Sequence, residues 1–342
     1  MDLQKRLDYI AEVKKKISDM PEENKKNGKK NAIARMNSLF DWGTFVETNA
    51  FIKKRPNEFP EFGGKNIEYE GVVAGYGSIN GRLVFAYSQD FSKMSGALSE
   101  AGIKKILAVY AMAEKNGAPV VSIFDSSGVV VTEGIDALAG YGAIINKASV
   151  LSGVVPQYSA ICGTCAGGAA VIASVSDFIF MEKNNGKIFI SSPFVIKNNI
   201  EHADANIGSA DFAAKNGQCA KVLENEDELF ASIRNLIEYI PSNNLDENVY
   251  LDIEDDVNRL NENLFDLVAS EEYDIRQVIT EIADNNKFFE VYEEYSDNIV
   301  CGFCRPPLPA KYRLHSNIDL AWALYGNALF SRRTYTILLF RE

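Results

Sequence analysis

The stretch that decides the fold is residues 154–181, which read VVPQYSAICGTCAGGAAVIASVSDFIFM. Within it, the apolar run 157–162 has the length of a strand and ends in a turn of small residues, 163–168. The small residues 169–175 predict a tightly packed helix, and the apolar run 178–181 predicts a second strand. This order of strand, glycine turn, helix and strand is the unit from which the rest of the chain is interpreted.

Two adjacent glycines, Gly167 and Gly168, stand where the helix of this unit begins. The first N–H groups of a helix have no partner inside the helix, and glycines leave them uncovered. Donors that are fixed before a charge appears are suited to stabilising a developing oxyanion. Close packing of the helix on the sheet is the alternative reason for two glycines here.

The residues before this unit predict more elements of the same kind. Asn80-Gly81 lies between two β-rich runs, which is the strongest short signal for a hairpin. A helix over 99–115, a strand over 120–124 and a helix over 134–148 follow. This alternation predicts an α/β fold with a largely parallel sheet.

The strand over 120–124 ends in the turn Asp125-Ser126-Ser127-Gly128. Ligands of parallel sheets bind beyond the carboxyl ends of the strands. We therefore expect this turn and the glycine turn 163–168 to lie at the same edge of the sheet.

Composition narrows the class of protein. The chain has 342 residues, a net charge of -12 and a pI of about 4.9, which gives a nucleic acid or an anionic membrane little electrostatic attraction. Neither a signal-peptide core nor an apolar run of about 18 residues occurs in the sequence. These features predict a cytoplasmic protein.

The five cysteines form two CxxC pairs, Cys162/Cys165 and Cys301/Cys304, together with Cys219. Two such pairs are compatible with a Cys₄ zinc site or a disulfide. Both pairs begin in apolar, strand-like runs, where a buried free thiol is the usual outcome. We therefore predict no metal.

Short sequence motifs, found in order between residues 34 and 305, carry a resemblance to a known family. They are GYGSINGR at 75–82, SQDF at 88–91, GALSE at 96–100, LAGYG at 138–142, SGVVPQ at 152–157, CAGG at 165–168, DFIFM at 177–181 and YIPSNN at 239–244. In these motifs the chain resembles the carboxyltransferase (beta) subunit of biotin-dependent acyl-CoA carboxylases and the related acyl-CoA decarboxylases, such as those acting on propionyl-CoA and methylmalonyl-CoA.

The resemblance implies a crotonase-like fold, a ββα superhelix, present as one complete copy and the start of a second. We predict an N-terminal amphipathic helix and charged linker in residues 1–30 and an acyl-CoA-binding carboxyltransferase domain in 31–245. Residues 246–305 are expected to form a linker and the first elements of a truncated second domain. The tail, 306–342, contains no motif of the family. It begins at Pro306-Pro307-Leu308-Pro309, which cannot continue a central strand.

The implied reaction moves a carboxyl group between N1 of biotin and the α-carbon of an acyl-CoA. The biotin would belong to a separate carrier protein, because this sequence has no Met-Lys-Met acceptor. The implied partners are the biotin carboxyl carrier protein, the biotin carboxylase subunit and a chain that supplies the second domain. That last chain would be another copy in a homo-oligomer or the other half of a split enzyme.

The resemblance also assigns site residues. Gly167 and Gly168 match the oxyanion glycines of the family, and Ser127 and Gly128 are expected to add an N–H from the facing turn. The implied substrate-binding residues lie in or near the other family motifs; they are Gly96, Ala97, Ser126, Tyr141 and Ala166.

Four residues depart from the family pattern. Ser95 and Ser127 stand where the family has glycines, and Val129-Val130 replaces an Ala-Arg pair. His202 lies in a stretch that matches only loosely, so no role is transferred to it.

Two other functions compete with the carboxyltransferase interpretation. Gly163-Thr164-Cys165-Ala166-Gly167 has the spacing of a nucleophile elbow, and a cysteine hydrolase would need His202 or His315 as its base. Alternatively, the chain is a non-catalytic or truncated paralogue that binds acyl-CoA or a partner subunit without turnover.

Overall fold

The computed structural model describes residues 3–18, 23–24, 29–53, 70–199, 204, 206–246, 261–269, 273–304 and 335–340. In this part of the chain, seven strands form the main sheet in the order β11-β9-β7-β6-β5-β4-β3. Its strands are β3 (Val46–Glu47), β4 (Val72–Ile79), β5 (Arg82–Gln89), β6 (Val120–Phe124), β7 (Gln157–Ile161), β9 (Phe178–Glu182) and β11 (Lys221–Leu223).

The predicted parallel sheet is confirmed from β5 to β11, where every neighbouring pair runs parallel. The antiparallel edge is the hairpin of β4 and β5, with β3 beside it. Asn80 and Gly81 both have positive φ (49° and 78°), which is the backbone that a two-residue hairpin turn needs. The predicted hairpin is therefore confirmed together with its turn.

Helices cover both faces of the sheet. One face is covered by α3 (Glu100–Asn116), α4 (Ile135–Leu151), α5 (Gly168–Val175) and α7 (Ala210–Lys215), and the other by α2 (Ala32–Leu39) and α8 (Glu226–Tyr239). Alternate residues of each strand enter the two apolar cores; in β6, for example, Val120 and Phe124 face one core and Val121 and Ile123 the other. The remaining helices are α1 (Leu3–Ser18), α6 (Pro193–Asn199), α9 (Glu262–Ala269) and α10 (Ile275–Ile282).

A small second sheet lies beside the glycine turn. Residues 164–166, which the sequence placed in the turn, form the short strand β8 (Thr164–Ala166), and β10 (Lys187–Phe189) pairs with it in parallel. This pairing anchors the turn between β7 and α5 to a segment about twenty residues further along the chain.

The C-terminal elements form a third sheet from β12 (Phe288–Val291), β13 (Ile299–Cys304) and β14 (Tyr335–Phe340). Phe289 and Phe303 join the same apolar core as α8, and the rings of Phe303 and Phe178 meet edge to face at 5.8 Å. Strands β12 and β13 therefore pack on the domain predicted for 31–245. The remaining pair, β1 (Glu23–Asn24) and β2 (Lys29–Lys30), is antiparallel.

Candidate active site

The two turns that the sequence singles out follow β6 and β7, which are neighbours in the sheet. The Ser126 N–H donates to the carbonyl of Thr164 at 2.8 Å, so one backbone hydrogen bond joins the turns directly. Within the first turn, the Ser126 hydroxyl oxygen accepts from the Gly128 N–H at 3.0 Å. The expectation that both turns meet at one edge of the sheet is confirmed.

The loop that contains Gly96 packs against the first turn. The Ser127 N–H donates to the Ser95 carbonyl at 2.9 Å, and a Cβ on Gly96 would lie 2.1 Å from the carbonyl oxygen of Asp125. Gly96 also has a φ of +68°, so both the space and the backbone require glycine. Ala97, which follows it, is buried.

Tyr141 of α4 touches both turns. Its hydroxyl donates to the Gly128 carbonyl at 3.4 Å, and a Cβ on Gly168 would lie 2.7 Å from its Cδ1. Burial, with a contribution from nearby Cys165, raises the pKa of the Tyr141 hydroxyl well above its ordinary value. The hydroxyl therefore stays protonated at neutral pH and acts as a donor.

Most of the amides that the sequence proposes as oxyanion donors are used inside the fold. The Gly167 N–H donates to the Phe189 carbonyl at 3.0 Å, and the N–H groups of Ser127 and Gly128 are engaged as described above. These three amides are therefore not free donors in this structure. Strand β10 supplies the acceptor for the Gly167 N–H. Because β10 is distant in the sequence, no local sequence pattern indicates this hydrogen bond.

The Gly168 N–H is different. Gly168 is the first residue of α5, and no residue in the described ranges accepts a hydrogen bond from its N–H. The first bond of this helix runs from the Val171 N–H to the Gly167 carbonyl at 3.2 Å, so earlier amides have no partner inside the helix. The donor end of α5 is thus available at Gly168.

Among the described residues, none fills the space directly in front of Gly128 and Gly167. A Cβ built on Gly128 or on Gly167 meets no atom of the described chain within 4 Å, and the φ angles there are +122° and +59°. Ala166 and Gly167 are half-buried, and Ser127 is exposed. Eight of the nine predicted site residues thus lie on three segments, of which the turn 125–128 contacts the other two, and the ninth, Tyr141 of α4, touches both turns.

The carboxyl transferase domain model matches residues 23–306, which is most of the chain. The chain belongs to the carboxyltransferase family. The chain is 41% identical over 284 residues to methylmalonyl-CoA decarboxylase subunit alpha of Veillonella parvula, and 38% identical over 284 residues to the propionyl-CoA carboxylase beta chain of Roseobacter denitrificans. Each match covers 81% of this chain and 56% of the relative, so the chain spans about half the length of these relatives.

Solved structures agree with this family. A transcarboxylase 12S structure with methylmalonyl-coenzyme A and methylmalonic acid bound matches this chain with a TM-score of 0.78 and 33% identity, over 89% of this chain and 61% of that one. The beta subunit of geranyl-CoA carboxylase from P. aeruginosa matches with a TM-score of 0.53, over 88% of this chain and 56% of that one, and its 22% identity shows the fold alone. The predicted crotonase-like fold is confirmed.

The cysteine hydrolase alternative finds no support at Cys165. Its side chain is fully buried, and burial raises the pKa of its thiol well above the ordinary value. A nucleophilic cysteine needs an accessible thiolate, and this environment opposes it. His202 and His315, the two possible bases, lie outside the described residues.

A buried ion cluster beneath the two turns was missed by the sequence reasoning. Arg35 of α2, fully buried, lies 2.9 Å from a carboxylate oxygen of Asp125 and donates twice to Glu226, at 2.9 and 2.8 Å. Lys29 of β2 donates to the other Asp125 oxygen at 3.0 Å. One signal could have found the cluster: Arg35 shares the buried face of α2 with Ala32, Met36 and Leu39, where a charged residue needs a partner.

The described residues contain no group of three or more His, Cys, Asp or Glu side chains arranged to hold a metal ion. None of their helices is long and apolar enough to cross a membrane.

Proposed function

We propose that this chain supplies the acyl-CoA side of a biotin-dependent carboxyltransferase. The observation that carries the proposal is the Gly168 N–H at the start of α5, which has no acceptor among the described residues and follows Gly167, where an added Cβ would meet no described atom. A thioester oxygen in that space would accept from Gly168. We expect Gly167 to act through its backbone conformation, since its own N–H is engaged.

The chemistry asks for a hydrogen-bond donor more than for an acid or a base. When the α-carbon of an acyl thioester gains or loses a carboxyl group, negative charge develops on the thioester oxygen. A fixed N–H and the positive end of α5 stabilise that charge without rearranging during the reaction. Losing one such donor typically lowers a rate by about two to three orders of magnitude.

Carboxybiotin, when bound, would supply the carboxyl group from N1 of its ring, and in the reverse direction biotin would receive it at the same nitrogen. We propose that the second reacting group approaches from the side of Gly128 and Gly167, where an added Cβ would meet no described atom within 4 Å. We propose that the biotin belongs to a separate carrier protein and that the residues holding it belong to a second carboxyltransferase domain. No metal is part of the proposal.

For the acyl group, the names of the relatives favour the pair propionyl-CoA and methylmalonyl-CoA. Methylmalonyl-CoA decarboxylase and propionyl-CoA carboxylase are both among the similar proteins, and the matched transcarboxylase structure holds methylmalonyl-coenzyme A. These names include both a carboxylase and a decarboxylase, so they fit either direction of transfer. We propose this C3/C4 pair as the first substrates to test.

Exposed apolar side chains near the candidate site offer a surface that a second domain would cover. Val131, Ile135 and Leu138 are large, exposed apolar residues that begin three positions after Gly128, and Ile190 and Phe194 are exposed just after β10. Exposed apolar side chains that flank a site usually belong to an interface. We infer that a second carboxyltransferase domain, from another copy or a separate chain, covers these side chains. We also propose that the protein works in the cytoplasm, where its five free cysteines would stay reduced.

A non-catalytic paralogue is the second candidate. The engaged amides of Ser127, Gly128 and Gly167 favour it, because they leave this chain fewer oxyanion donors than the sequence predicts. Such a chain would bind acyl-CoA without transferring a carboxyl group even when the second domain and carboxybiotin are supplied.

The test compares the affinity of the full chain for propionyl-CoA, methylmalonyl-CoA and free CoA by isothermal titration calorimetry. We expect the thioesters to bind more tightly than free CoA, because only they offer an oxygen to Gly168. Gly168→Ala would move Tyr141 and disturb the donor, so we expect it to remove the thioester preference while free CoA still binds.

Gly142→Ala is the matched control, because a Cβ at Gly142 of α4 meets no atom within 4 Å. It should leave the preference unchanged. Equal affinities of the wild type for thioester and free CoA, or an unchanged preference in Gly168→Ala, would contradict the proposed site. Carboxyl transfer on addition of the second domain and carboxybiotin separates the enzyme from the paralogue.

A further inference from the structure

The ion cluster beneath the two turns joins elements that are far apart in the sequence. Asp125 follows β6 directly, Arg35 lies on α2, and Glu226 is the first residue of α8. The cluster also reaches the end of β5: the Gln89 carbonyl lies 3.4 Å from Arg35 Nη1, and Gln89 Oε1 accepts from the Asp125 N–H at 3.2 Å. Asp125 is thus held through both its side chain and its main chain.

The second turn closes over the same carboxylate. A Cβ on Gly163 would lie 1.9 Å from Asp125 Oδ1 and 2.7 Å from Lys29 Nζ, so glycine leaves the space that the ion pair occupies. One residue past Asp125, the Ser126 N–H donates to the Thr164 carbonyl, one residue past Gly163. The carboxylate therefore lies where the two turns start to approach each other.

Burying these charges has a cost that their pairing must offset. Arg35 is fully buried, Asp125 is 1% exposed and Glu226 is 5% exposed. A buried ion cluster is weak evidence for stability by itself, because apolar residues of similar volume often stabilise a core as well. Directional, bidentate ion pairs are better suited than apolar contacts to holding a backbone in one arrangement.

We propose that Arg35 is a positioning residue that, through Asp125, fixes the separation of the turns 125–128 and 163–168. Arg35 is fully buried, and its direct link to the turns is the Asp125 carboxylate. Lys29 supports the other oxygen of Asp125 from the rim, where its side chain is 13% exposed. The ligand that the turns bind rests on the proposed function, whereas the role of Arg35 in holding the turns does not depend on it.

The experiment is hydrogen–deuterium exchange on the full chain, read by mass spectrometry on peptides that cover the two turns and on peptides from β9. We expect Arg35→Met to accelerate exchange in both turns by about tenfold or more, since their local opening becomes easier, while β9 changes little. Arg35→Lys, which keeps the charge but loses the two-pronged geometry, should restore part of the protection.

Arg234→Met is the matched control. Arg234 of α8 donates to the Leu39 carbonyl and pairs with Asp41, so it also ties α8 to α2, but at a distance from Asp125. A merely structural role for Arg35 predicts the same exchange pattern in both variants. Equal acceleration in all elements, or unchanged exchange in the turns, would overturn the proposal.

Lys29→Met guards against the case in which Arg35→Met does not fold. Because it removes one rim contact to Asp125, we expect the same two turns to open, by a smaller factor; unchanged exchange there would count against the proposal. Thioester binding is measured on the same samples. Turns that open in the variants while the wild type shows no thioester preference would support the positioning role and reject the proposed function.

Discussion

At the scale of single residues, the loop before α3 shows why a departure from the family pattern is tolerated at one position and not at the next. Ser95 has a φ of 54° and Gly96 a φ of 68°, so both adopt the left-handed backbone. Ser95 is exposed, whereas Gly96 lies against the Asp125 carbonyl. Serine at position 95 therefore costs only backbone strain, while any side chain at position 96 would also collide.

This contrast makes a prediction for two single variants. Gly96→Ala should lower the free energy of unfolding by about 1–3 kcal/mol, because it combines strain with displacement of the turn that follows β6. Ser95→Gly should be neutral or stabilising by a few tenths of a kcal/mol, since strain is relieved while chain entropy increases. Urea unfolding of both variants checks this. A Gly96→Ala protein as stable as the wild type would show that the loop can move away.

At the scale of elements, Asp41 joins the end of α2, the β4–β5 hairpin and α8. Its carboxylate accepts from Arg234 at 2.7 Å and from the N–H groups of Asn80 and Gly81 at 3.2 Å. Burial alone would raise the pKa of Asp41, but these hydrogen bonds outweigh it and hold the pKa below the ordinary value of 3.8.

A pH dependence follows from the sign of that shift. A carboxyl whose pKa is lower in the folded state stabilises the fold above its unfolded pKa, and this contribution is lost as the pH falls through the folded value. Asp41→Asn should therefore cost about 1 kcal/mol at pH 7, a modest value because the pair is partly exposed and screened. The difference from the wild type should shrink below about pH 4. Urea unfolding between pH 3 and 7 measures this, and a difference that is constant with pH would contradict it.

The double variant Asp41→Asn/Arg234→Met provides the control. If the two side chains act as one pair, their separate losses will not add, and the double variant will be more stable than the sum predicts. Additive losses would place the effect of Asp41 in its contacts with the hairpin turn alone.

At the scale of the whole molecule, the two ends of α4 differ. We expect the exposed apolar residue near the candidate site to lie in an interface and the one at the far end to lie on a free surface. Leu138 lies near the start of the helix, next to the loop that holds Gly128, while Val150 is exposed near its end. Twelve residues of helix place the two about 18 Å apart. The proposed second domain should contact the Leu138 end, where the candidate site is.

Leu138→Lys should therefore weaken association by tenfold or more, about 1.4 kcal/mol, without lowering the melting temperature, because the side chain is already exposed. Val150→Lys should leave association unchanged. Sedimentation velocity over a concentration series, with the separate second domain present and absent, measures both. Equal association of the two variants and the wild type would remove this face from the proposed interface.

Much of the fold could be predicted from the sequence because its signals are local. Asn80-Gly81 specifies a hairpin turn, Ser99 caps α3 and Gly117 ends it in the left-handed conformation. Apolar runs of strand length placed β6 at its observed bounds and β7 within one residue. The turn and the caps depend on the φ and ψ preferences of a few neighbouring residues, and the strands on a short run of apolar residues, so each signal is local.

The sequence by itself determined that two small-residue turns follow adjacent parallel strands and that a helix begins at paired glycines. Only the tertiary structure decided which amide there is free. The Gly167 N–H is taken by Phe189, 22 positions later, and the turns rest on a cluster that joins Arg35, Asp125 and Glu226. Hydrogen bonds and ion pairs between such distant residues form only when the sheet has brought them together, and a linear pattern carries no record of that approach.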